Sequence, residues 1–165
     1  MEKLNNILSI RFRALVNAIL AFYVIYITYS KMRAVLPWYY TLKRSAIQPA
    51  SWVFSLAWGY IYASWFFILG YIYLNFQQLD TTKTKSFLTL FLLNVLAQFI
   101  WINLFTSHDL LNSLFALFAS LIFAWLMVYY AHKIAKSVSY ILLPQAIWLL
   151  LATILGVQTY LLNKS

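Results

Sequence analysis

The chain has 165 residues, of which 64% are hydrophobic and only 9% are charged, whereas about 25% of the residues in a typical soluble domain are charged. A soluble protein of this size cannot bury so much apolar surface, because small domains leave a large share of their surface exposed. The net charge of +9 does not indicate a nucleic-acid partner, because the basic residues lie at the ends of apolar runs, where membrane proteins meet lipid headgroups. We therefore expect an integral membrane protein in a lipid bilayer, with no nucleic acid bound.

Windows without charge divide the sequence into its expected membrane spans. Five of them reach the length of about 17 to 25 residues that a bilayer-spanning helix needs. Their apolar runs are continuous rather than alternating, which disfavours a membrane β-barrel, and the run after Arg13 is too long for a cleaved signal peptide. The sequence predicts an all-α, single-domain (1–165) membrane bundle of five transmembrane helices at approximately 13–30, 51–75, 86–106, 110–132 and 138–162.

Between the first two spans, the segment 31–50 (KMRAVLPWYYTLKRSAIQPA) is the only long connection. It contains two of the three prolines, four basic residues and the aromatic run Trp38, Tyr39, Tyr40. This aromatic content argues against disorder. Two interpretations stay open: an interfacial aromatic belt whose Lys and Arg side chains reach the headgroups, or a lid over one mouth of the bundle.

The second span carries an aromatic stripe. Pro49 is expected at its first turn, and Phe54, Trp58, Tyr62 and Trp65 follow at spacings of four, four and three residues. This spacing places the four rings on one face of a helix. Such a stripe more often serves packing or lipid contact than ligand binding, and both readings are kept.

The third span contains Asn94 and Gln98, one helical turn apart, with Trp101 and Phe105 beyond them. Amides inside a membrane most often form hydrogen bonds between helices, although they would also suit a polar group of a ligand. The fourth span is nearly all apolar and is expected to be structural.

In the fifth span, Pro144, Trp148, Ala152 and Gly156 recur every four residues on one face. Ala152 and Gly156 form a pair of small residues that lets another backbone approach closely. Helix packing is therefore the favoured reading of this face, and contact with a ligand is the alternative.

No reaction chemistry stands out. The three carboxylates, Glu2, Asp80 and Asp109, lie at expected membrane edges, so no paired acid and base is visible. His108 and His132 lack partners at metal-binding spacing, and there is no cysteine. No ionisable residue is expected at the middle of the membrane, which disfavours a proton relay or ion-coupled transport. We expect no catalytic residue, no metal and no cofactor.

Two stretches resemble the signatures of a known membrane family. WYYTLKRSAIQPASWVFSLAWGYIY and, later, LPQAIWLLLATILGVQTYLLN are similar to the translocator protein family, also called tryptophan-rich sensory protein, TspO/MBR or peripheral-type benzodiazepine receptor. The residues that match are Trp38, Tyr39, Leu42, Pro49, Trp52, Phe54, Trp58 and Tyr62 in the first signature, Asn94 in the third helix, and Pro144, Trp148, Ala152 and Leu155 in the last helix.

The sequence also departs from the family pattern. Arg44 stands where the family has lysine, Ser45 and Ala50 replace prolines, and Ile47 replaces an aromatic residue. Further along the chain, Ala97 stands in place of a tryptophan, Gln145 in place of a tyrosine and Gly156 in place of an asparagine. These differences indicate a divergent member.

The resemblance implies a five-helix bundle, often a homodimer, with a pocket under the first long loop. Family members bind porphyrins, sterols and benzodiazepine-type ligands, and some have been described as degrading porphyrin in light. The resemblance therefore implies a receptor or carrier for tetrapyrroles or sterol-like lipids, with porphyrin as ligand rather than cofactor. The alternatives are a light-dependent porphyrin-degrading enzyme and a structural membrane protein. A multi-pass location in a bacterial envelope or an organelle outer membrane is expected.

The resemblance and the aromatic stripes together give a set of expected ligand-binding residues. Trp58, Tyr62 and Trp65 are expected to form one wall, with Trp148 and Ala152 opposite. Rings of this kind stack on flat π-systems, and a basic side chain of the lid would pair with a ligand carboxylate. The full set is Trp38, Lys43, Arg44, Trp52, Phe54, Trp58, Tyr62, Trp65, Asn94, Trp101, Trp148 and Ala152.

Overall fold

A computed structural model of the chain describes residues 2–164. Within these residues it contains five long α-helices, one short 3-10 turn and no strand. All five helices are long and apolar enough to span a membrane, so the prediction of an all-α multi-pass membrane protein is confirmed. The helices are α1 (Glu2–Tyr39), α2 (Ser51–Asn75), α3 (Thr81–Thr106), α4 (Leu110–Ile134) and α5 (Lys136–Asn163), with the 3-10 turn at Phe76–Gln78.

Four of the helices follow the expected spans closely. Helix α2 has the expected bounds, and α4 and α5 extend past theirs by one or two residues. Pro49 lies two residues before α2, outside its first turn. Helix α3 starts five residues earlier than expected, because Asp80 caps it and accepts a hydrogen bond from the backbone N–H of Lys83 at 2.9 Å. Charge ends the apolar window there, but it does not end the helix.

The first helix differs most from the prediction. We expected a span over 13–30 and a lid over 31–50, whereas α1 continues without a break to Tyr39. Residues 31–34 (KMRA) are good helix formers, and Pro37 falls in the last turn, where the helix is about to end. At 38 residues, α1 is roughly 57 Å long and so exceeds the roughly 30 Å hydrocarbon core. The true connection is the shorter loop 40–50, which we call the lid loop.

Each helix packs mainly against two others, so the order around the bundle is α1, α2, α5, α4, α3. A buried polar network joins four of the helices near their middle. Asn94 Nδ2 of α3 donates to the Ser120 carbonyl of α4 at 2.8 Å, and its Oδ1 accepts from Gln98 Nε2 at 2.9 Å and from Gln145 Nε2 of α5 at 3.1 Å. Trp65 Nε1 of α2 donates to Gln145 Oε1 at 2.7 Å. The expectation that these amides join helices holds for Asn94, whereas Gln98 bonds to Asn94 of its own helix.

Candidate ligand-binding cavity

A cavity of about 820 Å³ lies in the half of the bundle nearest the lid loop. Its volume is within the range of about 300 to 1,000 Å³ found for small-molecule sites. All five helices and the lid loop contribute to its lining, which is predominantly apolar and aromatic. The cavity therefore lies among the five helices that are long and apolar enough to span a membrane.

The aromatic stripe of α2 forms one wall. Phe54, Trp58 and Tyr62 all line the cavity. The indole of Trp58 stacks on that of Trp101 from α3, with ring centroids 6.0 Å apart and planes 18° from parallel. At the other side, Phe54 meets Trp148 of α5 edge to face at 5.3 Å. Aromatic rings from three helices therefore face one space.

The opposite wall is built from α5 and α4. Ala152 and Gly156 line the cavity between Trp148 and the lid loop. A Cβ added at Gly156 would lie 2.9 Å from Leu114 Cδ2, so α5 packs as closely against α4 as this small residue allows. Helix α4 itself contributes Ser113, Leu114 and Leu117 to the lining. The expectation that α4 is only structural is therefore incomplete.

The lid loop covers the end of the cavity and is tied to the last helix. The Ser45 hydroxyl donates to Gln158 Oε1. The Lys43 backbone N–H donates to Asn163 Oδ1 at 3.0 Å, and Asn163 Nδ2 donates back to the Lys43 carbonyl at 2.9 Å. Tyr40 and Gln48 of the loop line the cavity. These contacts favour the lid interpretation of this loop.

The comparison with known families agrees with this geometry. The model of the TspO/MBR family matches residues 12–161, nearly the whole chain. The chain belongs to the TspO/MBR family. A search among curated proteins finds no match.

In this TspO/MBR protein, the cavity brings together half of the residues that sequence reasoning selected. Trp101 of α3 joins the three rings of α2, and Trp148 and Ala152 complete the set on α5. Trp65 belongs to the same stripe of α2 but does not line the cavity: it is fully buried one turn below, where its indole bonds to Gln145. Asn94 is likewise fully buried within the polar network. Both residues lie deeper in the bundle and do not line the cavity.

Four other selected residues lie outside the cavity lining. Trp38 stacks on the imidazole of His108 at 4.0 Å, in the turn between α3 and α4. Trp52 is 68% exposed at the start of α2, as expected of a lipid-facing or interfacial ring. Lys43 and Arg44 are exposed on the lid loop, and the Arg44 guanidinium lies 5.7 Å from the centre of the Tyr40 ring.

Sequence reasoning missed the contribution of α1 to the cavity of this TspO/MBR protein. Phe22, Tyr26, Tyr29 and Arg33 line it, at spacings of four, three and four residues. This is the helical spacing that identified the stripe of α2, so the signal was present in the sequence. The same side chains are exposed on the bundle surface, which means that the cavity opens sideways toward lipid between α1 and α2.

Proposed function

We propose that this protein is a membrane receptor or carrier that binds flat apolar ligands, tetrapyrroles or sterol-like lipids, in the cavity. Membership of the TspO/MBR family supports a membrane role in binding tetrapyrroles or sterols. The observation that carries the proposal for this chain is the cavity wall of Trp58, Trp101 and Trp148. Large rings of this kind contribute both buried apolar area and a defined stacking geometry to a planar ligand.

The polar groups at the cavity fit binding better than catalysis. No carboxylate or imidazole belongs to the described lining residues, and tyrosine hydroxyls are the only groups there of a type that serves as a general acid or base. The indole N–H of Trp148 is buried and has no acceptor among the described residues. An unsatisfied buried donor is unfavourable, and a carbonyl or hydroxyl of a bound ligand would satisfy it.

Titration of the purified protein in lipid nanodiscs with protoporphyrin IX and with a fluorescent cholesterol analogue tests the proposal. We expect saturable binding of at least one probe, and a loss of about tenfold in affinity for Trp58→Ala or Trp148→Ala, on the scale of 1.4 kcal/mol for a lost aromatic contact. Trp125→Ala is the matched control, because Trp125 lies on the exposed surface of α4. Equal affinities in all three variants would argue against this cavity.

One rival function is supported by a specific contact. The stacked pair of Trp58 and Trp101 would lie directly against a porphyrin bound in the cavity, within reach of photosensitised chemistry. A light-dependent porphyrin-degrading enzyme would lose tetrapyrrole absorbance with turnover and would form a covalent product. Mass spectrometry of protein and porphyrin after incubation in light and in the dark separates this enzyme from a receptor.

The homodimer that the resemblance implies is likewise a proposal, tested by light scattering of the purified protein.

A further inference from the structure

Arg33 is the only charged residue among the described residues that line the cavity. It lies on α1, one turn beyond Tyr29, where the cavity opens between α1 and α2 toward lipid. Every other cationic side chain described lies outside the lining. A single positive charge therefore stands at the mouth of an otherwise uncharged aromatic space.

The Arg33 guanidinium has few partners of its own. Nη1 donates to the Tyr29 hydroxyl at 3.3 Å, and the guanidinium carbon lies 5.7 Å from the centre of the Tyr29 ring. A guanidinium has five N–H donors, so most of the donors of Arg33 have no acceptor among the described residues.

Neither of the two aspartates, the carboxylates whose side chains the structure describes, pairs with Arg33. Asp80 pairs with Lys83 at 3.3 Å beyond the opposite end of the bundle. Asp109 uses its oxygens on the backbone and side-chain N–H groups of Asn112. Glu2 lies 31 residues earlier in α1, roughly 46 Å away along a helix that rises 1.5 Å per residue. The described part of the chain therefore leaves Arg33 available to an anion from outside it.

We propose that Arg33 is a specificity-determining residue that selects ligands carrying a carboxylate. This inference rests on the proposed function: the apolar body of the ligand occupies the aromatic part of the cavity, while its carboxylate stays at the mouth and pairs with Arg33. Arginine suits this role, because its planar fork binds a carboxylate through two parallel hydrogen bonds. The sequence analysis expected Lys43 or Arg44 of the lid loop to pair with a ligand carboxylate, and this proposal assigns that pairing to Arg33 of α1 instead.

The same oxyanion chemistry is available from a lipid phosphate, since arginines near a membrane surface often extend toward headgroups. The two sources differ in what they predict. A headgroup contact would affect acidic and neutral ligands alike, whereas a ligand contact affects only the acidic one. Zwitterionic phosphatidylcholine nanodiscs hold the lipid contribution constant.

The test compares two pairs of probes that differ in charge: protoporphyrin IX with its dimethyl ester, and cholesteryl hemisuccinate with cholesterol. Dissociation constants are measured for the wild type, Arg33→Gln and Arg33→Lys. We expect Arg33→Gln to weaken binding of the acidic probes by about fivefold, the upper range for an exposed ion pair, and to leave the neutral probes unchanged. Arg33→Lys keeps the charge and should retain part of the preference. The preference should also decrease as salt is raised.

Two further variants serve as controls. Arg13→Gln removes the same charge from the same helix, but Arg13 contacts Thr89 of α3 outside the cavity, so it should change nothing. Arg44→Gln tests the residue that sequence reasoning preferred. An acid preference that survives in Arg33→Gln, or that is lost in Arg44→Gln instead, would overturn the inference and leave the proposed function standing. If no probe of either pair binds saturably, both fail together.

Discussion

At the scale of single residues, Asn94 is the centre of the buried polar network that joins the helices. Its amide is fully buried and uses both ends: Nδ2 donates to the Ser120 carbonyl and hydroxyl, and Oδ1 accepts from Gln98 and Gln145. Because Gln145 also receives the indole N–H of Trp65, one side chain of α3 fixes the positions of α4 and α5 directly and of α2 through one further bond. These bonds hold α2, α3, α4 and α5 together near the middle of the bundle, and the cavity lies between this network and the lid loop.

Replacing Asn94 by leucine should therefore destabilise the bundle. The substitution removes a donor and an acceptor and leaves the buried amides of Gln98 and Gln145 without this partner. We therefore expect the free energy of unfolding to fall by about 1–2 kcal/mol. Asn75→Leu is the matched control, because Asn75 bonds only to the Tyr71 carbonyl of its own helix. Thermal unfolding in detergent measures both. Equal melting temperatures for the two variants would contradict the role given to Asn94.

The sequence predicted the function of these amides better than their partners. Spacing along one helix shows which residues share a face, and this placed Asn94 and Gln98 side by side, as they are. It does not show which helices are neighbours, so Gln145 was noted only as a departure from the family pattern. The same limit explains Trp65, which shares a face with Trp58 but lies below the depth at which the helices close together.

At the scale of elements, two helices begin at aspartates outside the membrane. The backbone N–H of Lys83 lowers the pKa of Asp80 at the start of α3. The side chain and then the backbone N–H of Asn112 lower the pKa of Asp109 at the start of α4. Asp80 is exposed and Asp109 is partly exposed, and each contributes as a helix cap whose ionised form is preferred in the folded state.

The cap of α4 predicts a pH dependence. Because folding lowers the pKa of Asp109, its contribution to stability is complete above the unfolded pKa of about 3.9 and is lost as pH falls through the folded pKa. We expect Asp109→Ala to melt earlier than the wild type at neutral pH, and the difference to shrink as pH falls through the lowered pKa of Asp109. Asp109→Asn still caps but does not titrate, so its own stability should change less with pH. A difference between wild type and Asp109→Ala that is constant with pH would contradict this account.

The bounds of α2 and α4 were predicted to within two residues, whereas the start of α3 at the Asp80 cap was missed by five. The bounds of α1 were not predictable, because charge marks the edge of the lipid and not the end of the helix. Its extension from residue 31 to Tyr39 has a functional consequence: it carries Arg33 alongside the cavity mouth instead of leaving it on a loop.

At the scale of the whole molecule, the cavity has a lateral opening whose edge on α2 is Gly59. Gly59 lines the cavity and is exposed, and a Cβ placed there would meet no atom within 4 Å. A ligand that partitions into the bilayer would therefore reach the aromatic wall without crossing the lid loop. The closed ring of helices, in the order α1, α2, α5, α4, α3, depends on long-range contacts that no local pattern in the sequence reveals.

A large side chain at Gly59 should obstruct this route. We expect Gly59→Phe to weaken ligand binding about tenfold, or 1.4 kcal/mol, at the lower end of the overpacking range, and to slow association as well. Gly70→Phe is the matched control: Gly70 lies on the same helix and also faces open space, but it does not line the cavity. Stopped-flow association of protoporphyrin IX in nanodiscs measures both. If Gly59→Phe binds as fast as Gly70→Phe, ligands enter by another path.

The small residues of α5 decide between a cavity wall and a dimer contact. The Cβ direction at Gly156 leads to Leu114 at 2.9 Å and Leu117 at 3.4 Å, both on α4 of the same chain, and Ala152 lines the cavity on the adjacent turn. This face therefore points into the bundle. A leucine at Ala152 would occupy space that a ligand needs, whereas a leucine at Gly156 would collide with α4 itself.

We accordingly expect the two substitutions to have different effects. Ala152→Leu should weaken ligand binding by about 1–3 kcal/mol, the usual scale of overpacking, while the melting temperature and the oligomeric state stay unchanged. Gly156→Leu should lower the melting temperature, because the packing of α5 against α4 leaves no room for a side chain. Binding isotherms, thermal unfolding and light scattering on both variants check this. An Ala152→Leu protein that binds normally but runs as a smaller species than the wild type would show that this face of α5 mediates dimerisation instead.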